Sequence, residues 1–222
     1  MKPIHVIRKI GFPTLWYVVY YNIWFILLSP DIYSDIGHIA IILMYIVAYI
    51  DSFSRPFSEK EEIANKYSLL LMIGFLINPF IFILAYIENQ LLIKDYFPIW
   101  NNIIVFVIGI IFIIIGGIIQ VFSRIQLGKY GSGMLVIEDD HQLVTRGIYR
   151  YIRHPIYLGG AMVGFGTELA FRSLIVPLLG IVYSFLLIKP RMDQEEKILS
   201  EEFSDEYKSY IKRTRRLLPF IY

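Results

Sequence analysis

A short stretch in the C-terminal half of the chain carries the residue types best suited to chemistry. Residues 141–160 read HQLVTRGIYRYIRHPIYLGG. Arg153 and His154 place a guanidinium and an imidazole directly before Pro155. A proline disfavours helical geometry in the residue before it and itself fits the first turn of a helix. The pattern therefore predicts that His154 lies just outside a helix and that Tyr157 lies in its first turn.

Glycines lie within this stretch and shortly after it. Gly147 interrupts a local apolar run, while Gly159, Gly160 and Gly164 give the following segment a small-residue face. Such a face lets another helix, or a flat ligand, approach the backbone closely. We expect Gly160 and Gly164, four positions apart, to serve this close approach.

Two further pairs of polar residues lie at the ends of apolar segments. Arg191 and Glu195 are four positions apart and share one helical face, which fits either an ordinary ion pair or a functional pair. Gln120 and Arg124 share a face at the end of another apolar segment. We expect Arg124 mainly to anchor that helix at the membrane surface.

The elements that must position these residues are membrane helices. The chain is 56% hydrophobic and 18% charged, against about 45–50% and 25% for soluble domains. A soluble all-α protein would have too little polar surface to cover its uncharged runs. Those runs span residues 11–30, 36–50, 67–87, 96–123, 155–167 and 173–188.

The run lengths predict a polytopic arrangement. A crossing helix needs about 20 apolar residues, a length that three runs reach and that the flanks of 36–50 can supply. The runs 155–167 and 173–188 are short and should pair as a hairpin with Glu168 and Arg172 near its tip. The predicted fold class is an all-α, polytopic integral membrane protein with four transmembrane helices plus a C-terminal helical hairpin.

Charge placement predicts the orientation. Segments 1–10, 51–66, 124–154 and 189–222 together hold 19 of the 21 Lys and Arg residues. Because Lys and Arg favour the cytoplasmic side, we expect these segments and both termini to be cytoplasmic. The membrane would be the plasma membrane in a prokaryote and the endoplasmic reticulum in a eukaryote.

Composition also narrows the function. A net charge of +2 gives no reason to expect nucleic acid as a partner. The absence of cysteine excludes thiolate metal sites, and four histidines leave little material for a metal centre. We therefore expect no metal.

The tail over residues 193–218 has the periodicity of an amphipathic helix. Its acidic start and basic end suit the helix dipole, and the basic end suits anionic headgroups. Its apolar stripe comprises Leu199, Phe203, Tyr207, Tyr210 and Ile211. We divide the chain into N-terminal transmembrane helices, residues 1–115, and a C-terminal functional core, residues 116–222.

Three motifs in this order resemble the isoprenylcysteine carboxyl methyltransferase family. They are HQLVTRGIY from His141, RHPIY from Arg153, and Glu195-Glu196 followed by EEFSDEYKSYIKRTRRLLPF. The resemblance covers about residues 116–222. Phospholipid methyltransferases share this layout. Sterol reductases share part of it, but the tail is closer to the methyltransferases.

The resemblance implies a cytoplasmic S-adenosylmethionine pocket closed by the C-terminal amphipathic helix. It places Arg191 at the substrate, and Arg191 and Glu195 as the catalytic residues. Ser204 stands where the family often has glycine, which we expect to be a small change in a surface turn. The implied cofactor residues are His141, Gln142, Leu143, Val144, Tyr149, His154, Pro155, Ile156, Tyr157 and Glu195.

The residue types agree with this pocket and leave several functions open. Leu143 and Val144 can cover an adenine, and a tyrosine face can contact a sulfonium. The first function is O-methylation of a carboxylate on a lipidic or prenylated acceptor that enters from the bilayer, among membrane lipids. The second is N-methylation of a lipid amine, with Glu195 or Glu196 as base. The others are an NADPH-dependent sterol-type reductase and a non-catalytic membrane protein.

Overall fold

The structure is a computed structural model that describes residues 10–11, 14–56, 65–131, 137 and 140–218. Within these ranges the regular structure is helical, and an isolated bridge pairs Ile152 with Arg215. The predicted all-α class is therefore confirmed for the described part of the chain.

Six longer helices make up most of the described residues. We number them α1, Thr14–Leu28; α2, His38–Ser54; α3, Asn65–Glu88; α4, Ile103–Leu127; α5, Pro155–Ala170; and α6, Ile175–Arg213. The first half of α1 is π-helical, and α3 continues through a π-helical segment to Tyr96. Short 3₁₀ turns occupy Pro30–Ser34, Gly128–Tyr130 and Gly147–Arg150.

Three helical stretches are long and apolar enough to cross a membrane. They are Met72–Tyr96, Ile103–Tyr130 and Ile175–Arg213, while Thr14–Leu28 and His38–Ser54 are apolar but shorter. Many large apolar side chains on these helices are exposed, which suits contact with lipid. The chain is an integral membrane protein, and the number of four crossings plus a hairpin stays a prediction.

The closest helix packing joins α4 to α5 through glycines. A Cβ on Gly109 would lie 2.6 Å from the Gly166 carbonyl oxygen, and one on Gly116 would lie 2.7 Å from the Gly159 oxygen. Only glycine permits this approach. Gly160 and Gly164 lie outside this helix contact and line a cavity, which fits the approach of a ligand rather than of a helix.

A proline inside α3 explains how α1 docks on it. Pro79 has no N–H, so the Phe75 carbonyl lacks its helical donor. The Tyr21 hydroxyl donates to that oxygen at 3.3 Å, and the Tyr20 hydroxyl donates to the Leu76 oxygen at 2.9 Å. Two tyrosines therefore join the first and third helices.

Helices α5 and α6 form the predicted hairpin, joined by residues 171–174. At its tip the Arg172 guanidinium donates to the Asp35 carboxylate at 2.5 Å. The Glu88 carboxylate accepts from the Ser173 hydroxyl and from the backbone N–H groups of residues 174–176. These bonds satisfy N–H groups that a helix start leaves without partners. The hairpin is thus tied to the N-terminal half.

The predicted separate tail helix over residues 193–218 was wrong in its bounds. Helix α6 continues past Pro190, bends at Ser204, where φ is 44° and ψ is −112°, and ends at Arg213. Arg191 and Met192, which directly follow this proline, are buried at 3% and 0% exposure. Tertiary packing therefore keeps the helix intact across the proline, and the tail differs in direction only after residue 204.

Candidate functional site

A cavity of about 790 Å³ runs along α5 and α6 and reaches into the N-terminal helices. It brings together ten of the eleven predicted site residues: His141, Gln142, Leu143, Val144, Tyr149, His154, Ile156, Tyr157, Arg191 and Glu195. Pro155 does not line it; this buried residue begins α5. His154 is non-helical, with φ −122° and ψ 55°, and Tyr157 lies in the first turn, as predicted.

Three polar side chains join at one end of this cavity, which we call the reaction end. The Arg191 Nε donates to the Tyr157 hydroxyl at 3.0 Å, and that hydroxyl donates to the Glu195 Oε2 at 2.8 Å. Arg191 is buried, whereas 31% of the Glu195 side chain is exposed. The spacing of four residues therefore brings both groups to one tyrosine, and a carboxylate there stays accessible.

The neighbouring carboxylate is in a different position. Glu196 Oε1 accepts from the Arg153 Nε at 2.9 Å and lies 3.1 Å from the His154 Nε2. Its Oε2 accepts from an Arg216 guanidinium nitrogen at 2.7 Å. We call these four residues the tail lock. Because three groups already surround Glu196, it is poorly placed to take up a substrate proton.

The tail lock also includes backbone pairing. The Arg153 N–H donates to the Arg215 oxygen at 2.7 Å, and the Arg215 N–H donates to the Tyr151 oxygen at 3.0 Å. The Arg153 side chain donates to the Thr214 oxygen at 2.8 Å. Arg153 is therefore engaged with the tail, and the segment just after α6 covers the residues that precede α5.

Three buried polar atoms next to the reaction end have no hydrogen-bond partner within the described part of the chain. They are the hydroxyls of Tyr149 and Tyr207 and the Nδ1 of His154. Burial raises the pKa of Tyr149 well above its usual value, so its hydroxyl stays protonated and can donate. Because unpaired buried polar atoms are rare in native proteins, these three point to a bound polar ligand.

Tyr207 was not predicted as a site residue. It was assigned only to the apolar stripe of the tail, and it is 1% exposed. The signal that could have separated it was its hydroxyl, since a tyrosine at a buried stripe position brings a polar atom into the core.

Tyr130 and the segment 141–144 form the other wall of the pocket. The His141 ring stacks on Tyr130, with centroids 4.3 Å apart, and meets the edge of Phe203 at 5.6 Å. Leu143 and Val144 are partly buried and line the cavity beside it. This wall is aromatic and apolar, which suits a flat heterocycle better than a charged group.

A buried ion pair that the sequence did not predict also lines the cavity. The Arg124 Nε donates to the Asp51 Oδ1 at 2.5 Å, and both side chains are almost fully buried. Arg124 also donates to the Gly131 carbonyl at 2.8 Å. The expectation that Arg124 mainly anchors its helix at the surface was therefore wrong: it joins α2, α4 and the following loop beside the cavity.

Comparisons with known proteins agree on the C-terminal half. Residues 104–206 match the family model of the phospholipid methyltransferases. A probable protein-S-isoprenylcysteine O-methyltransferase of Oryza sativa subsp. indica is 32% identical over 119 residues, which cover 51% of this chain and 61% of that protein. The chain thus spans about three fifths of the length of that relative.

Two further likenesses extend to most of the chain. Protein-S-isoprenylcysteine O-methyltransferase B of Arabidopsis thaliana is 27% identical over 203 residues, covering 86% of this chain and 98% of that protein. The solved structure of the eukaryotic intramembrane Ras methyltransferase, isoprenylcysteine carboxyl methyltransferase, aligns with a TM-score of 0.63 and 20% identity. That alignment covers 96% of this chain and 75% of the solved one, and it supports the fold.

Proposed function

Because the C-terminal half is related to the isoprenylcysteine carboxyl methyltransferases, as the three motifs predicted, we propose that the protein transfers a methyl group from S-adenosylmethionine to a lipidic acceptor. The acceptor group is the carboxylate of an isoprenylated cysteine or of a similar lipidated molecule. The single observation that carries this proposal is the reaction end, where Arg191, Tyr157 and Glu195 lie in a cavity bounded by membrane helices.

The pocket fits S-adenosylmethionine by the chemistry of its walls. The donor has an apolar adenine, a ribose diol, an ammonium, a carboxylate and a sulfonium. Leu143 and Val144 offer apolar cover, and the Tyr149 and Tyr207 hydroxyls, which lack a partner among the described residues, offer donors. Glu195 offers an accessible carboxylate for an ammonium or a hydroxyl. The pocket thus offers apolar cover, hydrogen-bond donors and a carboxylate acceptor for different parts of the donor.

The donor supplies an electrophilic methyl group, and the chain's own residues supply positioning. The acceptor carboxylate is itself the nucleophile, so this reaction needs no general base. Arg191 would hold that carboxylate by a charge-assisted hydrogen bond, and Tyr157 would keep Arg191 and Glu195 in register. Catalysis would then come mainly from orientation and exclusion of water.

The arrangement in the membrane belongs to the same proposal. We place both termini and the reaction end on the cytoplasmic side, with four crossings and the hairpin. Residues 1–115 would shape the lipid path, and residues 116–222 would hold the donor and the acceptor carboxylate. The acceptor would enter sideways from the bilayer.

A radiolabelled methyl-transfer assay on the detergent-purified protein tests the proposal, with an S-farnesylated N-acetylcysteine as acceptor. We expect Arg191→Ala to lower turnover about 100-fold, as loss of a charge-positioning donor does, with donor affinity little changed. Lys189→Ala is the matched control, because Lys189 is exposed and pairs with Asp193 at 2.6 Å. Full turnover in Arg191→Ala would refute the role of this arginine.

A second function is favoured by one specific observation, the match of residues 104–206 to the phospholipid methyltransferases. N-methylation of a lipid amine requires removal of a proton. Glu195 is the better candidate base, since Glu196 is held in the tail lock. Methyl transfer to phosphatidylethanolamine that rises with pH would favour this function, whereas O-methylation of a carboxylate would show no such rise.

A further inference from the structure

The cavity has a second polar end, far from the reaction end. Glu168 lies near the end of α5, lines the cavity and is 5% exposed. Its Oε2 has no hydrogen-bond partner among the described residues. Its nearest cation along the chain, Arg172, is engaged with Asp35 at the hairpin tip. Glu168 is thus a buried carboxyl that faces the cavity and that the proposed reaction does not use.

Two helices give the same distance between the two ends. Glu168 lies 11 residues after Tyr157 on α5, and the carboxyl packs directly on Gly180, which lies 11 residues before Arg191 on α6. At 1.5 Å per residue, each helix places Glu168 roughly 16 Å from the reaction end. The missing side chain at Gly180 leaves room for the carboxyl group.

The wall between the two ends is mainly apolar. Gly160 and Gly164 line it from α5, and Leu187 lines it from α6. Its polar residues are Ser184 and Gln120, which lies beside Gly160. Beyond them the Tyr183 hydroxyl donates to the Gly74 oxygen at 2.9 Å near the level of Glu168. The cavity therefore changes from polar to apolar and back to polar along its length.

This pattern fits an amphiphile with polar groups at both ends better than a plain hydrocarbon tail. A buried carboxyl away from cations is stable as the neutral acid, which both donates and accepts hydrogen bonds. Opposite a purely apolar chain end it would stay unsatisfied, which is costly in an apolar environment. Ionisable residues inside membrane segments commonly mark a ligand path.

We propose that Glu168 is a specificity-determining residue that binds a hydroxyl or similar hydrogen-bonding group on the lipid chain of the acceptor, roughly 16 Å from the methylated carboxylate. The inference rests on the proposed function for the identity of the acceptor. It extends that function by defining the far end of the lipid.

Two acceptors of equal chain length test this inference. Both are S-alkyl N-acetylcysteines whose chain reaches about 16 Å from the carboxylate. One chain ends in a methyl group and the other in a hydroxyl group. We expect the KM of the wild type to be about tenfold lower for the hydroxyl-ended acceptor. Glu168→Leu should abolish this preference, and Glu168→Gln should retain part of it.

The control variant is Thr167→Val. Thr167 is buried next to Glu168, but its hydroxyl donates to the Val163 oxygen and it does not line the cavity. We expect Thr167→Val to keep the wild-type preference. A loss of preference in this variant as well would assign the effect to helix packing and overturn the inference.

A binding readout without methyl transfer separates the two proposals. We would measure the thermal stabilisation of the wild type and Glu168→Leu in detergent by each acceptor alone. Stronger stabilisation by the hydroxyl-ended acceptor, lost in Glu168→Leu, supports the inference even where neither acceptor is methylated. Only a lack of methyl transfer to the S-farnesylated acceptor as well would sink the proposed function. Equal KM and equal stabilisation would overturn the inference and leave the function intact.

Discussion

Glu195 and Glu196 are neighbours on α6, but they belong to two regions that the protein uses differently. At the reaction end, Glu195 shares one tyrosine hydroxyl with Arg191, and 31% of its side chain is exposed. In the tail lock, Glu196 meets two arginines and a histidine, and its side chain is 12% exposed. The carboxylate of the first region stays partly accessible, whereas that of the second is taken up by hydrogen bonds within the protein.

This comparison teaches why a Glu-Glu pair is useful at such a site. Successive residues on a helix point about 100° apart, so one carboxylate can face the cavity while the other faces the tail. The tail lock holds His154 by its Nε2, which leaves Nδ1 directed toward the reaction end without a hydrogen-bond partner among the described residues. The structural carboxylate therefore orients a ring that would be available to the donor in the proposed function.

Removing the tail-lock carboxylate should have the largest effect on stability. Glu196→Ala removes the carboxylate partner of the largely buried Arg153, which costs about 3 kcal/mol, whereas Arg216 keeps its pairing with Asp193 at 2.7 Å. We expect the midpoint of thermal unfolding in detergent, followed by circular dichroism, to fall by roughly 10 °C.

Glu201→Ala is the control for this change, because Glu201 is exposed and its pairing with Lys197, at 3.9 Å, is a weak surface contact. Its unfolding midpoint should stay near that of the wild type. If Glu196→Ala also left the unfolding midpoint unchanged, the distinction between the two regions would fail.

Removing the hydroxyl that joins the reaction end should affect turnover more than folding. Tyr157→Phe deletes the bonds to Arg191 and Glu195, each of which involves a charged group. We expect turnover to fall roughly 10- to 100-fold in the methyl-transfer assay. Tyr20→Phe removes a comparable hydroxyl bond, to the Leu76 oxygen away from the cavity, and should keep turnover within about twofold of the wild type.

The accessible carboxylate should matter for donor binding. Glu195→Ala should weaken S-adenosylmethionine affinity about tenfold in calorimetric titrations, because it removes a charge-assisted acceptor. Its unfolding midpoint should change far less than that of Glu196→Ala, since Glu195 is partly exposed. Equal losses of stability in the two variants would show that both carboxylates are structural.

Local sequence patterns predicted much of this site. The geometry of His154 and Tyr157 follows from one proline, and the hairpin follows from two short apolar runs. The roles of Glu195 and Glu196 could not be separated, because both spacing and motif treat them as a pair. Their partners distinguish them: Arg153, His154 and Arg216 surround Glu196, and Arg216 is brought there by the chain after α6.

The remaining differences came from tertiary partners. The ion pair of Asp51 with Arg124 joins residues 73 positions apart, and no local pattern specifies it. Close packing through Gly109 and Gly166 likewise depends on which faces of α4 and α5 meet. A small-residue face shows where approach is allowed, and the partner helix decides which glycines are used.

The smallest expected effect concerns the bend in α6 that precedes Arg216 of the tail lock. Ser204 lies at the bend of α6 with φ 44° and ψ −112°, a region that residues with a Cβ adopt at a cost and glycine adopts freely. The family resemblance, which often places glycine here, has the same physical reason. Ser204→Gly should therefore raise the unfolding midpoint by about 3 °C, corresponding to roughly 1 kcal/mol. Ser200→Gly, in regular helix four residues earlier, should lower it by a similar amount, because glycine weakens a helix interior. If both variants lowered the midpoint alike, the bend at Ser204 would not be the feature that directs the tail toward Glu196.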